Sequence, residues 1–351
     1  MNNNIYVIQP IIPHYRVPFF KILNDKLGSR IYYYICDKDL NNLSTDEAAL
    51  KFNNVYRMKG FINFKRKVYW CTGLPFSHFK KNDVVVIPGN PRVINYMLLF
   101  LYLKFKGIKV VWWGQGWTSG SRSIAARLRR WIMLKSDVVM LYTQKEADYF
   151  TKHNHVYALN NGLDVASVPY SYSDKSKQKK LSLLFIGRLT EKSKFSLLLQ
   201  ALSECEREVD IHIIGFTQEE CDVKHVNDRV NFVWHGAIYT NAEIYKISLN
   251  CHAFIYPGAV GLSLIHAFAN GLPALVHDSE FNHMPEFSAF KEHFNGLSFA
   301  YNNSSSLKHL IETCSIDELS QMSVNARNTV VETYNICDMA RRFFYSLNGI
   351  I

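Results

Sequence analysis

Short apolar runs punctuate this chain, and longer stretches with helical spacing separate them. In the first half the runs are Ile5–Ile8, Ile31–Cys36, Val84–Ile87, Val110–Trp113, Val138–Tyr142 and Val156–Leu159. In the second half they are Leu181–Ile186, Ile211–Ile214, Val230–Val233, Ala253–Tyr256 and Ala274–His277. Continuous apolar runs of this length suit parallel strands buried on both faces. Helical patterns lie between them: Phe20, Ile22 and Leu23 behind Pro18, the stretch from Val93 to Phe105, Leu197 to Leu202, and a last helix carrying Met339, Phe343 and Phe344. Ser315 and Glu318 have capping-box spacing ahead of another helix. Strands alternating with helices predict an α/β fold with parallel sheets. The alternation is interrupted once, at Ser171–Lys180 (SYSDKSKQKK), which reads as a linker. The expected organisation is a Rossmann-like domain over 1–170, a linker over 171–180, a second Rossmann-like domain over 181–334, and a helix over 335–351 returning to the first domain.

Composition narrows the class. A chain of 351 residues with 48% hydrophobic content holds two cores of ordinary size and is not disordered. The seven cysteines are scattered, odd in number and never in C-x-x-C spacing. This argues against a disulfide framework or a zinc site and suits a reducing cytosol. The segment MNNNIYVIQP lacks the pattern of a signal peptide, and the longest apolar run, near Tyr96–Leu103, is too short to span a bilayer. Charge is uneven. Residues 1–170 hold 24 Lys and Arg against 10 Asp and Glu, a net of +14, while residues 171–351 hold 16 against 20, a net of −4. The first half is therefore expected to meet an anionic partner. No RNA-binding fingerprint or helix-turn-helix pattern accompanies the basic bias, so nucleic acid is not that partner.

The chemistry concentrates at Tyr256–Phe299. Pro257 and Gly258 end a strand, and Gly261 removes a side chain at the bend. Leu264, Ile265 and Phe268 continue as a helix that Gly271 and Pro273 stop. A small-residue turn opening a helix leaves backbone N–H groups unpaired, and these suit a phosphate. The segment Gly258, Ala259, Val260, Gly261, Leu262 and Ser263 is thus a candidate anion site. A second candidate is GRLTEKSK, where a strand ends at Gly187. Arg188 there offers a planar fork for phosphate oxygens, and Lys192 and Lys194 offer point charges.

GRLTEKSK, PGAVGLSLIHAFANGLPAL, MPE and NGLSF, in this order, resemble family 4 of the retaining glycosyltransferases. Further pieces are similar: NNGLD at Asn160–Asp164, and PHYRVPFFKIL, which resembles a subgroup that decorates bacterial surface polysaccharides. The resemblance implies the GT-B architecture, two Rossmann-like domains facing across a cleft. It implies hexosyl transfer, with retention, from a UDP- or GDP-sugar to a lipid-linked oligosaccharide of O-antigen or capsule. Neither a cofactor nor a metal is implied. Arg188 and Lys194 would neutralise the departing diphosphate, with Lys192 in reserve. The family's two glutamates, eight positions apart, fall here on Gly258 and His266, and a non-catalytic sugar-nucleotide or glycan-binding protein is the alternative this departure raises. His266 can still bond ribose hydroxyls, and Asp278, His277 or Glu286 could replace the lost sugar contact, with Glu286 of MPE preferred because it matches a family Pro-Glu. Gln115 stands where many relatives carry a histidine. His14 and Arg16 in the first loop and Gly215 after a strand complete the candidate set. Asp37-Lys38-Asp39 mimics the metal-binding D-x-D of the other nucleotide-sugar architecture, too early in the chain to fit it.

Two basic and aromatic segments match the charge excess. One is Phe61–Lys81, including Lys65, Arg66, Lys67 and Trp70. The other is Ser121–Lys135, where Ile124, Leu128 and Trp131 share a helical face beside Arg122, Arg127, Arg129 and Arg130. Together they suit the interface of an anionic membrane, and the protein is expected in the cytoplasm at the inner membrane face.

Overall fold

The computed structural model describes residues 3–64, 68–116, 124–175, 178–221, 223 and 226–351, without the side chains of 124 and 125. Lys65, Arg66, Lys67, Ser121 and Arg122 lie outside the described residues. The chain forms two compact units. One holds residues up to Asp164 together with Ile336–Ile351, and the other holds Val165–Asn335.

The first unit is built on β1 (Ile5–Gln9), β2 (Ile31–Cys36), β3 (Val55–Met58), β6 (Val84–Pro88), β7 (Lys109–Trp113), β8 (Val138–Leu141) and β9 (Val156–Ala158). They form one parallel sheet in the order β3-β2-β1-β6-β7-β8-β9. Between β3 and β6 an antiparallel ribbon is inserted, β4 (Gly60–Phe64) and β5 (Val68–Thr72). Its alternation was hidden in the sequence by the lysines and arginine of the same segment. Helices α1 (Val17–Leu27), α2 (Ile94–Phe105), α3 (Ile124–Met133) and α4 (Gln144–Asp148) complete this half. Trp112 and Trp113 sit side by side in β7 and point to opposite faces, as strand geometry requires. Trp112 joins the core under α2, which includes Tyr96, Leu99, Phe100 and Leu103. Trp113 joins the core under α1, with Phe19, Phe20 and Phe343.

The second unit follows the same plan. Its strands are β10 (Leu181–Ile186), β11 (Val209–Ile214), β12 (Val230–Trp234), β13 (Ala253–Tyr256), β14 (Ala274–His277) and β15 (Gly296–Phe299). They form a parallel sheet in the order β12-β11-β10-β13-β14-β15. Helices α5 (Phe195–Ser203), α6 (Gln218–Cys221), α7 (Asn241–Ser248), α8 (Leu262–Ala269), α9 (Ser304–Thr313) and α10 (Ile316–Thr333) surround it. Ser315 caps α10 by accepting the Glu318 N–H. The segment read as a linker is tied down: the Ser171 N–H donates to the Tyr245 hydroxyl at 2.7 Å, and the Lys175 ammonium donates to the carbonyls of Ser248 and Cys251. Burial pushes the Lys175 pKa down to about 8.

The last helix, α11 (Ile336–Leu347), returns to the first unit. Phe343 meets Phe19 edge to face, with ring centres 5.8 Å apart. Arg16 secures the contact. It is buried, and its two terminal nitrogens donate to Asn161 Oδ1 at 2.6 Å and Met339 Sδ at 2.9 Å. This corrects the expectation of Arg16 as an open loop cation for an acceptor phosphate, because those donors are already used inside the unit. Among the described residues no helix is long and apolar enough to cross a membrane.

Removing this guanidinium leaves a buried amide oxygen without its charged donor. Arg16→Ala is therefore expected to cost about 1.5–3 kcal/mol of stability, read as a lower urea midpoint. Unchanged stability would show that Arg16 does not anchor α11.

Candidate functional site

In the second sheet, successive connections run outward in both directions from the β10–β13 pair, since β10 leads to β11 and β12 while β13 leads to β14 and β15. Loops leaving the carboxyl ends of strands at such a reversal form the ligand crevice of open α/β sheets. The two loops here are Gly187–Lys194 and Pro257–Gly261, both singled out by sequence.

They are clamped together backbone to backbone. A carbon placed on Gly258 would lie 2.0 Å from the Lys192 carbonyl oxygen and 2.6 Å from the Ser193 carbonyl carbon. The Ala259 N–H donates to that Lys192 oxygen at 3.0 Å. The acidic side chain that the resemblance would place at position 258 has no room in this chain. Gly187 and Gly215 are forced in the same way. A carbon on Gly187 would approach the Tyr256 ring to 2.8 Å, and one on Gly215, whose φ is +123°, would approach the Gly187 oxygen to 2.1 Å. Gly215 is thus part of the frame and offers no group to a ligand beyond its backbone.

The glycine turn divides its amides. Those of Ala259 and Val260 are used internally, by Lys192 and by His283 Nδ1 at 3.1 Å. Val260 itself is fully buried. Both residues are therefore removed from the candidate anion donors. The next three amides, on Gly261, Leu262 and Ser263, donate to nothing among the described residues. They open α8, where the helix dipole is positive.

The cations differ in the same manner. Arg188 is exposed and makes no hydrogen bond or ion pair among the described residues, and Lys192 is equally free. The Arg188 charge reaches the Tyr256 phenol: burial raises that pKa to about 12, and the guanidinium partly offsets the rise. Lys194 adopts a left-handed conformation (φ 49°), with its ammonium 3.8 Å from the Tyr301 ring centre and bonded to Asn302 Oδ1. Between the two lysines expected to serve the diphosphate, the unpartnered one is Lys192.

His266 is partly exposed on α8, yet protein surrounds its imidazole and this desolvation pushes the pKa down to about 4. It is neutral at pH 7, and its ring nitrogens have no partner among the described residues. Glu286 is buried, and its Oε2 lies 3.8 Å from the position of a carbon on Gly261. Beside them sits a pair of which the sequence had offered only His277, as a substitute for the missing acid. His277 and His283 are both fully buried and stack at 3.6 Å, with Phe287 3.9 Å from His283 on its other side. Burial and mutual repulsion push His277 down to about 3, and burial pushes His283 down to about 4.

The remaining candidates lie in the first unit. His14 is exposed and bonded to Asp46 at 2.9 Å. Gln115 is half-buried in a turn whose Gly116 N–H donates to buried Glu146 at 2.7 Å. Arg129 donates to the Gly116 oxygen at 3.1 Å and is half-buried, so it does not join the exposed basic face expected of α3. Leu128 and Trp131 do stay exposed. Asp37 pairs with Arg57 at 3.6 Å, and Asp39 accepts the Asn41 and Leu43 N–H groups, which makes a local turn of the D-x-D mimic. A cavity of about 430 Å³ opens beside them, lined by Asp37, Asp39, Lys59, Phe61 and Tyr69 among others.

A parallel sheet reversing at a glycine turn, with free amides and an unpaired guanidinium at that reversal among the described residues, defines a domain of the doubly wound α/β class. Residues 171–329, most of the second unit, match the family model described as Glycosyl transferases group 1. Residues 171–329 are thus similar to the glycosyltransferases of this group, and the chain as a whole has the GT-B fold. The fold recurs in solved structures. HepE from Anabaena, in complex with UDP and glucose, is 14% identical with a TM-score of 0.68, covering 99% of this chain and 100% of its own. The lipopolysaccharide outer core galactosyltransferase WaaB, in apo form, is 16% identical with a TM-score of 0.69 and the same coverage. A glycosyltransferase from Rickettsia africae is 14% identical with a TM-score of 0.68, covering 99% of this chain and 98% of its own. No curated protein matches the chain.

The Gly258 contact makes a direct prediction. Gly258→Ala forces the two loops apart, at a cost of roughly 3 kcal/mol, and exposes the Ala259 amide to exchange. Thermal unfolding and hydrogen exchange read the two effects. An unchanged melting temperature would show that the loops are not clamped.

Proposed function

We propose that the protein transfers a hexosyl unit, with retention, from a uridine diphosphate sugar to a lipid-linked glycan of bacterial surface polysaccharide. The observation that carries this reading is the set of three unpaired amides at Gly261–Ser263 in the same loop pair as the unpartnered Arg188. HepE, solved with UDP and glucose, supports the choice of donor, and WaaB, a lipopolysaccharide galactosyltransferase, supports the class of acceptor.

Cleavage of the donor leaves negative charge on a diphosphate. Donors fixed in place before the reaction stabilise that charge without reorganising. Arg188 supplies two parallel N–H groups for the phosphate oxygens, Lys192 supplies a point charge with Lys194 close by in the same loop, and the three amides complete the cradle. His266, held neutral, both donates and accepts, which matches ribose hydroxyls. Glu286 beside Gly261 serves the sugar. The reaction follows a front-face course in which the leaving phosphate takes the acceptor proton, so no protein nucleophile is required. The first unit, with its basic excess, serves the acceptor at the inner face of an anionic membrane.

UDP is expected to raise the melting temperature more than other nucleoside diphosphates do. Arg188→Ala is expected to lower kcat by roughly 10²–10³-fold with the fold intact. Wild-type turnover in that variant, measured with UDP-sugars and a lipid-linked acceptor, would remove Arg188 from the mechanism.

A further inference from the structure

Helix α2 departs from the rule for surface helices. Its inward positions Tyr96, Leu99, Phe100 and Leu103 are buried, as expected. Its outward positions are Ile94, Leu98, Leu101 and Phe105, exposed by 41%, 44%, 63% and 87%. Their spacing of four, three and four residues makes one continuous stripe along the helix. No charged residue precedes Lys104 in α2. A helix apolar on both sides is normally covered, and twelve residues are too few to span a bilayer.

The stripe has apolar neighbours on the same layer. The β4–β5 ribbon is pinned to α2: the Cys71 N–H donates to Asn95 Oδ1 at 2.9 Å, and the Tyr69 N–H donates to the Arg92 oxygen at 2.8 Å. Phe61 and Tyr69 face the shared core, while Ile62 and Phe64 are exposed on the other side of the ribbon. Around this surface stand exposed cations, Arg92 before α2 and Lys104, Lys106 and Lys109 at its end, with Asp137 shared between Lys104 at 3.0 Å and Lys109 at 3.3 Å. They belong to the half of the chain with a net charge of +14.

We infer that α2 and the adjoining ribbon face form a surface that dips into the acyl boundary of an anionic bilayer. Apolar side chains enter the interface, and the flanking lysines and arginine meet anionic headgroups. A second protein chain would satisfy the apolar stripe but not the net positive charge of the rim, where four cations stand against the shared Asp137 carboxylate. The inference rests on the membrane reading of the acceptor and gives it a docking surface. It stands apart from the donor site, so UDP stabilisation measured on the same variants separates failure of one from failure of the other.

The test uses the full chain and vesicles of phosphatidylcholine with or without phosphatidylglycerol. Binding to the anionic vesicles is expected. Combined Leu98→Ser, Leu101→Ser and Phe105→Ser should weaken it at least tenfold with UDP stabilisation unchanged. In a Phe105→Trp variant, the new tryptophan should be quenched by brominated lipid. Unchanged binding of the triple variant would overturn the inference, as would an unquenched tryptophan or a soluble dimer that the triple substitution splits.

A different observation carries a second inference. His283 Nδ1 accepts the Val260 N–H at 3.1 Å, and its Nε2–H donates to the His277 oxygen at 2.8 Å. These two bonds fix one neutral tautomer. The Met284 N–H returns to the Val260 oxygen at 3.0 Å, so Val260 is gripped on both sides. The geometry points to His283 as a positioning residue for the proposed donor site. By fixing Val260, it sets the direction of the three free amides that follow. The imidazole stays neutral near pH 7 because burial holds its pKa at about 4.

Asparagine places an acceptor where Nδ1 stands, whereas glutamine places its polar group at the Nε2 position. His283→Asn should keep UDP affinity within a few fold and keep the Val260 amide protected from exchange. His283→Gln should lose at least tenfold in affinity and lose that protection. Equal behaviour of the two variants would overturn the inference. If neither variant folds, nitrogen NMR of the wild-type imidazole decides: a ring with Nδ1 unprotonated and no titration between pH 5.5 and 8 supports it, and a titrating ring overturns it. The exchange measurement needs no nucleotide, so it stays readable if the donor reading fails.

Discussion

A carbon atom on Gly258 would lie 2.0 Å from the Lys192 oxygen, and the site is organised around that lack of space. Because two backbones meet there, the loop after β13 cannot slide along the loop after β10. The amides of Ala259 and Val260 are consumed in holding the contact, and the chain then enters α8 with three N–H groups unspent. The free donors are where they are because their neighbours are engaged. Gly187 and Gly215 repeat the same device one strand further along the sheet, through close approaches to Tyr256 and to each other.

The electrostatics follow from the same division. Arg16 and Arg129 in the first unit are drawn into hydrogen bonds with their own scaffold. Arg188 and Lys192 in the second find no partner among the described residues. A guanidinium that acts on the Tyr256 phenol and a helix start with open amides both favour an anion, while the Glu286 carboxyl stands as the acid beside Gly261. The imidazoles around it carry no charge at neutral pH. His266, His277 and His283 are all shifted well below the ordinary histidine value by desolvation. They contribute directional hydrogen bonds and packing instead of adding like charge to an already cationic region.

Much of this was legible in the sequence, for identifiable reasons. Buried parallel strands such as Ile31–Cys36, Leu181–Ile186 and Ala253–Tyr256 are continuous apolar runs, and their bounds coincide with those expected. The short strand at Val55–Met58 interleaves Tyr56 and Arg57 and gave no such signal, and the β4–β5 ribbon was masked by its cations. Arg188 could be found because a strand, a glycine and a basic residue appear in succession. Arg16 looked alike in one dimension. Only Asn161 and Met339, 145 and 323 positions away, show that its charge is directed inward. The Val260–His283 bond was equally invisible, since no local pattern announces that an imidazole will accept a hydrogen bond from a turn 23 residues earlier.

The return of α11 to the first unit has a consequence for how the chain acquires its structure. Met339 and Phe343 are part of the same core as Phe19 and Trp113, and Ile336 is bonded to Leu163. During synthesis, the amino-terminal sheet emerges long before these residues exist. It must wait with an apolar trough uncovered while the whole second unit is translated and folds. The lobe begun first therefore gains these core residues only after the other lobe has been made, and the turns of α11 act as a latch across that interval.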